Sequence, residues 1–226
     1  MNLNDLDNPG WHALNSYHLH LSIQGDIAAR YQPGVFMAAA MPENTISGFN
    51  DLKKIIAVDE IIFIVGALPQ KLAGWQVLQK NHIPQMICED LKPAAPCQAI
   101  KLTKDDVPEM LDLIALAQPG PFLPRTIEMG DYYGIKQDGK LVAMAGERLH
   151  IQGFCEISAV CTHPNYRARG YAAGLTTIVA EGIIARQEQP FLHLRPDNHA
   201  AMQLYKKLGF HLRSEIQLSA IQRLDS

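Results

Sequence analysis

The chain has 226 residues, 47% of them hydrophobic, with 20 basic against 23 acidic side chains and a formal net charge of −3. That length and composition suit one large domain or two modest ones with a proper buried core, which excludes disorder as the main state. The charge excludes a general nucleic-acid binder, because neutralising a phosphate backbone needs a basic face.

In chain order, WHALNSYHLHL reads as helical. RYQPGVFMAAAMP and EIIFIVGAL read as strands with a helix, SGFNDLKKIIA, between them, and WQVLQKNH and IPQMICE add further α/β material. Leu91-Lys92-Pro93-Ala94-Ala95-Pro96, two prolines among small residues ahead of the fresh strand CQAIKL, predicts a boundary dividing the chain into 1–95 and 96–226. The second part runs through the helix DDVPEMLDLIALA, a short helical segment near PRTIEMG and the strand YYGIKQ. A turn at Asp138-Gly139 then gives the strand KLVAMAGERL, and a turn near Gln152-Gly153 gives FCEISAVCT. Residues 171–187 place Ala172, Leu175, Ile178, Val179, Gly182 and Ile183 at helical spacing, so one amphipathic helix opens near Gly170, followed by a strand in PFLHLRP and a last helix from Asn198.

The four cysteines, Cys88, Cys97, Cys155 and Cys161, form no C-x-x-C pair and have no histidines at zinc-finger spacing. They read as free thiols in a reducing compartment, so a cytoplasmic location is expected. His18 and His20 lack carboxylate or cysteine partners at metal spacing, and no metal site is expected. The N-terminus has neither a basic n-region nor an apolar h-region, and the run Ile61 to Leu68 is too short to span a bilayer, so no membrane partner is expected either.

The segment from Val160 to Ala172 carries an apolar strand end through a basic, glycine-bearing turn into a helix. A helix N-terminus presents unpaired N–H groups and a positive dipole end, and a glycine lets the backbone approach an anion. The amides of Gly170, Tyr171, Ala172 and Ala173 are therefore candidates to hold a phosphate, although a glycine after two arginines also serves as a plain turn.

Arg167-x-x-Gly170-x-Ala172 matches an R/Q-x-x-G-x-G/A signature, and Asn198-x-x-Ala201-x-x-Leu204-Tyr205-x-x-Leu208-Gly209-Phe210 follows about thirty residues on. Together they resemble the GNAT superfamily of N-acetyltransferases, in the tandem arrangement of the glycine N-acyltransferase type. The resemblance covers 97–226 well and the first half loosely. That half carries no such signature and resembles a divergent GNAT-like fold that would cover or shape the acceptor side. The resemblance implies an α/β (α+β) GNAT fold, a mixed, mostly antiparallel sheet flanked by helices, with strands around 154–161 and 190–195 splaying apart. It implies acetyl-CoA as co-substrate, no metal, and acetyl transfer by direct attack of an amine of a small molecule or peptide.

By the same resemblance the main chain at Val160 and Thr162 would pair with the pantetheine arm, and Arg167 and Arg169 would reach the phosphates of CoA. Asn198 would hydrogen-bond pantetheine or simply cap its helix. Tyr205, also at the cofactor, is the candidate general acid, since a phenol of pKa about 10 can protonate a departing thiolate of reference pKa about 8.5. Glu156 and Glu147 are candidate bases, and strand alternation puts Glu156, Ser158 and Val160 on one face. Acidic Glu128, Asp131, Glu147 and Glu156 would suit a cationic small-molecule acceptor, and a peptide amine fits as well. The sequence leaves room for a homodimer. A non-enzymatic acyl-CoA sensor is the alternative, and the proton-transfer groups favour the enzyme.

Overall fold

The computed structural model describes residues 2–225. Helix α1 (Pro9–Leu14) starts at Asn8, whose side chain accepts the Trp11 N–H, with Pro9 at the first position, where a missing N–H costs nothing. The helical pattern expected as far as Leu21 stops at Leu14, and only a 3-10 turn, Leu19–Leu21, follows. Asn15 and Ser16 turn their side chains back onto the carbonyls of Trp11 and His12, offering the backbone an alternative to further helix.

Strands β1 (Ser22–Gln24), β2 (Ala29–Tyr31) and β3 (Ala39–Ala40) form a small antiparallel sheet. Pro33 and Gly34, the latter at φ 83°, break the segment read as one strand into β2 and β3. Helix α2 (Ile46–Ile55) follows the Thr45 cap and leads to β4 (Ile61–Val65), and the segments WQVLQKNH and IPQMICE prove to be one long strand, β5 (Trp75–Cys88). The second part supplies β6 (Ile100–Lys101), α3 (Val107–Ala117), a 3-10 turn at Thr126–Met129, β7 (Tyr132–Gln137), β8 (Lys140–Ile151) and β9 (Phe154–Thr162). It ends with α4 (Tyr171–Ala185), β10 (Gln189–His193), α5 (His199–Lys207) and β11 (Phe210–Arg223).

The main sheet has the order β4-β11-β5-β10-β9-β8-β7-β6, antiparallel throughout except for the parallel pair β10–β9. Strand β5, from before residue 95, lies between β10 and β11, from after it, so one sheet runs through both parts of the chain. Period-two alternation gives this sheet two apolar faces. Cys155, Ile157, Met86 and Leu192 pack under α4 and α5, while Phe154, Ile87 and Phe191 pack with α1 on the other side. Helix α3 covers Met144, Tyr132 and Cys161, and α2 covers Ile62, Ile64 and Ile221.

His18 ties the first part to the second. Its Nδ1 lies 2.8 Å from the Tyr31 hydroxyl and its Nε2 3.1 Å from the Met129 carbonyl, so Nε2 carries the proton and Nδ1 accepts from tyrosine. Burial pushes this imidazole down to about 4, against the opposing pull of the Met129 carbonyl. The unfolded chain, with a reference value of about 6.5, takes up the proton first as pH falls. The resulting stability is complete above pH 6.5 and is lost down to pH 4, by about 3 kcal/mol. Urea unfolding at intervals from pH 7 to pH 4 should show this loss, and His18→Gln should flatten that slope.

Candidate active site

The site begins where two strands part. Strand β10 pairs with β9 at only three positions, Gln189 with Phe154, Pro190 with Cys155 and Phe191 with Glu156. Beyond them β10 stays with β5 as far as His193, and β9 runs on to Thr162 without β10 beside it. A bulge in β9 accompanies the parting. Between the β8 partners Met144 and Gly146, β9 advances from Ser158 to Cys161, one residue too many, and Ala159 takes φ 52°. That left-handed conformation costs a residue with a Cβ on the order of 1 kcal/mol.

The extra residue interrupts the alternation. Ile157 faces α4 and Glu156 the opposite side, yet beyond the bulge Val160 packs in the α4 cluster and Cys161 in the α3 cluster. The expectation that Glu156, Ser158 and Val160 share a face is therefore corrected. At the end of the strand the Thr162 hydroxyl is buried with no hydrogen-bond partner among the described residues.

From Thr162 the chain makes a 3-10 turn, Pro164–Tyr166, in which His163 Nδ1 accepts the Asn165 N–H. Ala168 and Gly170 then take φ 61° and 80°, and α4 opens without a side-chain cap. The leading amides of α4 consequently point outward unpaired, at the positive end of a 15-residue helix. A Cβ at Gly170 would meet nothing within 4 Å, so the approach is open. Arg167 and Arg169 are both exposed, and the Arg169 guanidinium lies 4.9 Å from the centre of the Tyr166 ring. A groove of about 350 Å³ adjoins this end of α4, walled by Pro96, Cys97, Gln137, Arg169 and Tyr171. The linker stays close because Ala94 donates its N–H to Thr177 Oγ1 at 3.0 Å and Gly174 leaves room for Cys97.

Tyr205, on α5, is buried in the cluster shared by α4, α5 and the parted strands, with its ring 5.9 Å from that of Phe210. Burial pushes the phenol well above its ordinary value, and neighbouring Cys161 adds to the shift, so at neutral pH it is a proton donor. The Cys161 thiol is itself pushed up to about 12 by burial. Asn198 caps α5, its Oδ1 accepting the Ala201 N–H at 3.1 Å, which leaves its Nδ2 as a donor.

The two glutamates sit apart from each other. Glu156 is fully buried and accepts from Arg148 Nε at 2.8 Å, Arg148 Nη2 at 2.6 Å and His193 Nδ1 at 2.7 Å. Burial alone would raise its pKa, but Arg148 and His193 outweigh it and hold the carboxyl well below the usual range. The chain continues from His193 Nε2 to Gln85 Nε2 at 2.9 Å, while Gln85 Nε2 also donates to the Leu6 carbonyl and Gln85 Oε1 accepts from Arg213. These partners place a proton of His193 on Nδ1, toward Glu156. His193 was missing from the sequence reading, and its only signal was its place at the end of the strand in PFLHLRP.

Glu147 pairs instead with Arg186 at 2.8 Å, and Arg186 follows the last turn of α4. That helix is about 22 Å long, so Glu147 lies toward the end away from Gly170. Glu128 and Asp131 are engaged as well, with Arg125 and Lys101, both at 2.8 Å. Among the described residues no group of three or more His, Cys, Asp or Glu is arranged to hold a metal, and no helix is long and apolar enough to cross a membrane.

The FR47-like protein family matches residues 132–218. A solved structure of a GNAT-family protein from Novosphingobium aromaticivorans DSM 12444 is 32% identical, with the match covering 97% of this chain and 99% of that one at a TM-score of 0.89. The chain belongs to the GNAT family. Two further GNAT structures share its fold. A GCN5-related N-acetyltransferase from Kribbella flavida is 15% identical over 95% of this chain and 96% of its own, with a TM-score of 0.58. A GCN5-related N-acetyltransferase-like protein from Streptococcus suis 89/1591 is 16% identical over 95% and 92%, with a TM-score of 0.57. No curated protein matches the chain. The GNAT assignment makes acyl transfer the chemistry to be read in the parted strands and the open α4 terminus.

Proposed function

We propose that this GNAT protein transfers an acetyl group from acetyl-CoA to an amine of a small molecule or peptide by direct attack. The observation that carries the reading is the uncapped, glycine-opened N-terminus of α4 at the end of a strand whose outer edge is unpaired. The amides of Gly170, Tyr171, Ala172 and Ala173 would hold the pyrophosphate, aided by Arg167 and Arg169. The β9 edge at Val160 and Thr162 would pair with the pantetheine arm, with Asn198 Nδ2 as a further donor. Acetyl-CoA would supply the acyl group already activated as a thioester.

The chain's own groups support direct attack. A cysteine relay needs a thiolate, and burial keeps Cys161 protonated by pushing it up to about 12. Tyr205 holds a proton on its buried Oη and fits the role of donor to a departing sulfur. The ion pairing of Glu156 favours a role in orienting His193 over accepting the substrate proton itself, and Glu147, bound to Arg186, is the weaker candidate base. The four free cysteines and the modest net charge support a cytoplasmic protein. Residues of both parts of the chain wall the apolar side of the parted strands, as a tandem, glycine N-acyltransferase-like arrangement would require.

The test is release of free thiol from acetyl-CoA across a panel of amines. Amine-dependent release supports the enzyme, whereas tight acetyl-CoA binding with no release for any amine identifies a sensor.

A further inference from the structure

A second cavity, of about 100 Å³, lies on the face of the sheet away from α4, between α1, β3 and the strands β4, β11 and β5. Ala38, Phe63, Ile83, Leu149 and Leu218 are among its walls, and the two ionisable side chains that line it are Arg148 and His193. Both residues mark the parting of the strands. Arg148 holds Glu156, the last β9 residue paired with β10, and His193 stands two residues beyond Phe191, its β10 counterpart. The cavity therefore ends at the line where β9 and β10 separate, opposite the side that carries α4.

Among the described residues no carboxylate lines it. Glu156 lies behind Arg148 and His193 and is spent on them, and Glu128, Asp131 and Glu147 are tied to their own cations. A polycation entering here would meet an apolar wall and the Arg148 guanidinium, with nothing to replace its lost water. The space is smaller than the roughly 150 Å³ that an apolar cavity needs to take a benzene ring, so it fits the branched end of a short aliphatic chain.

We propose that this cavity is the acceptor subsite and that it selects a monoamine carried on a short branched aliphatic body, against polyamines and aminoglycosides. The inference rests on the acetyl-transfer reading and sharpens its substrate class. Ala38 lines the cavity and is half-buried, so Ala38→Leu fills the space from its rim, and Leu218→Ala enlarges it.

The experiment pairs two readouts on the full chain, with isopentylamine, phenethylamine and spermidine as probes. Thiol release with acetyl-CoA gives kcat/KM, and calorimetry gives amine binding in the absence of acetyl-CoA. The expected result is kcat/KM at least about 100-fold higher for isopentylamine than for spermidine, with phenethylamine the poorer of the two apolar amines because its ring exceeds the space. Ala38→Leu should weaken binding of isopentylamine at least about tenfold without changing the KM for acetyl-CoA, and Leu218→Ala should shift preference toward phenethylamine. Spermidine as the best acceptor, or amine binding unaltered in both variants, overturns the subsite and leaves acetyl transfer standing. Apolar amines that bind and are displaced by Ala38→Leu, with no thiol released, support the cavity and refute the enzymatic reading instead.

Discussion

Glu156→Gln is expected to lower stability by about 3–5 kcal/mol, the cost of leaving a buried cation without its counter-charge. The carboxylate has no solvent exposure and takes three short hydrogen bonds from Arg148 and His193. Glutamine keeps the shape but presents an NH₂ where an oxygen accepted, so one buried donor of Arg148 or His193 loses its partner as well. In a chain of this size the melting temperature should fall by on the order of 10 °C. Removing the whole pair with Arg148→Met and Glu156→Leu together should recover part of that stability, because an apolar replacement leaves no buried Arg148 charge behind, although the His193 Nδ1–H still loses its acceptor. Denaturant unfolding of the single and double variants gives both numbers. A single variant within 1 kcal/mol of wild type would mean that Arg148 finds solvent or another partner, and the buried network would not be the rigid seat of His193 described above.

Tyr205→Phe is expected to reduce kcat by roughly 100-fold or more, within the range usual for loss of a positioned general acid. The ring stays, so its packing against Phe210 and the apolar cluster is kept and stability should change by less than about 1 kcal/mol. KM for acetyl-CoA should move far less than kcat, since the hydroxyl would act after the cofactor is bound. The phenol is held protonated well beyond its ordinary range, so wild-type activity should show no alkaline decline from Tyr205 below pH 10. Steady-state kinetics from pH 6 to pH 10 on both proteins check this, and an unchanged kcat removes Tyr205 from the chemistry.

What could be read from the sequence was carried by local signals. Asp138 and Gly139 both take positive φ, as a two-residue hairpin turn demands, and the β7–β8 hairpin was foreseen from them. Gly170 opening α4, Asn198 capping α5 and the apolar periods of both helices are local in the same sense. What was not legible depends on distant pairing. Nothing in EIS-AVC marks Ala159 as left-handed, because the bulge is set by the register with β8, so the face assigned to Val160 came out reversed. The partners of Glu156 arrive from the neighbouring strand β8 and from a parallel strand 37 residues away. The insertion of β5 between β10 and β11 likewise needs the assembled sheet, and the polar-rich segment from His211 to Arg223 gave no strand signal strong enough to anticipate β11.

The central claim, that the N-terminus of α4 is built to hold the phosphates of an acyl carrier, is tested most directly by calorimetric titration with acetyl-CoA. Wild type, Gly170→Asp and Gly170→Ala are compared, with melting curves to confirm that each is folded. At φ 80° both substitutions carry backbone strain of about 1–2 kcal/mol, but only aspartate adds a negative charge in the open space before the α4 amides. Saturable one-site binding is expected for wild type, weakened at least about 100-fold in Gly170→Asp and only a few-fold in Gly170→Ala. Absence of binding to wild type, or equal affinity in the aspartate variant, would contradict the phosphate cradle and with it the acetyl-CoA reading.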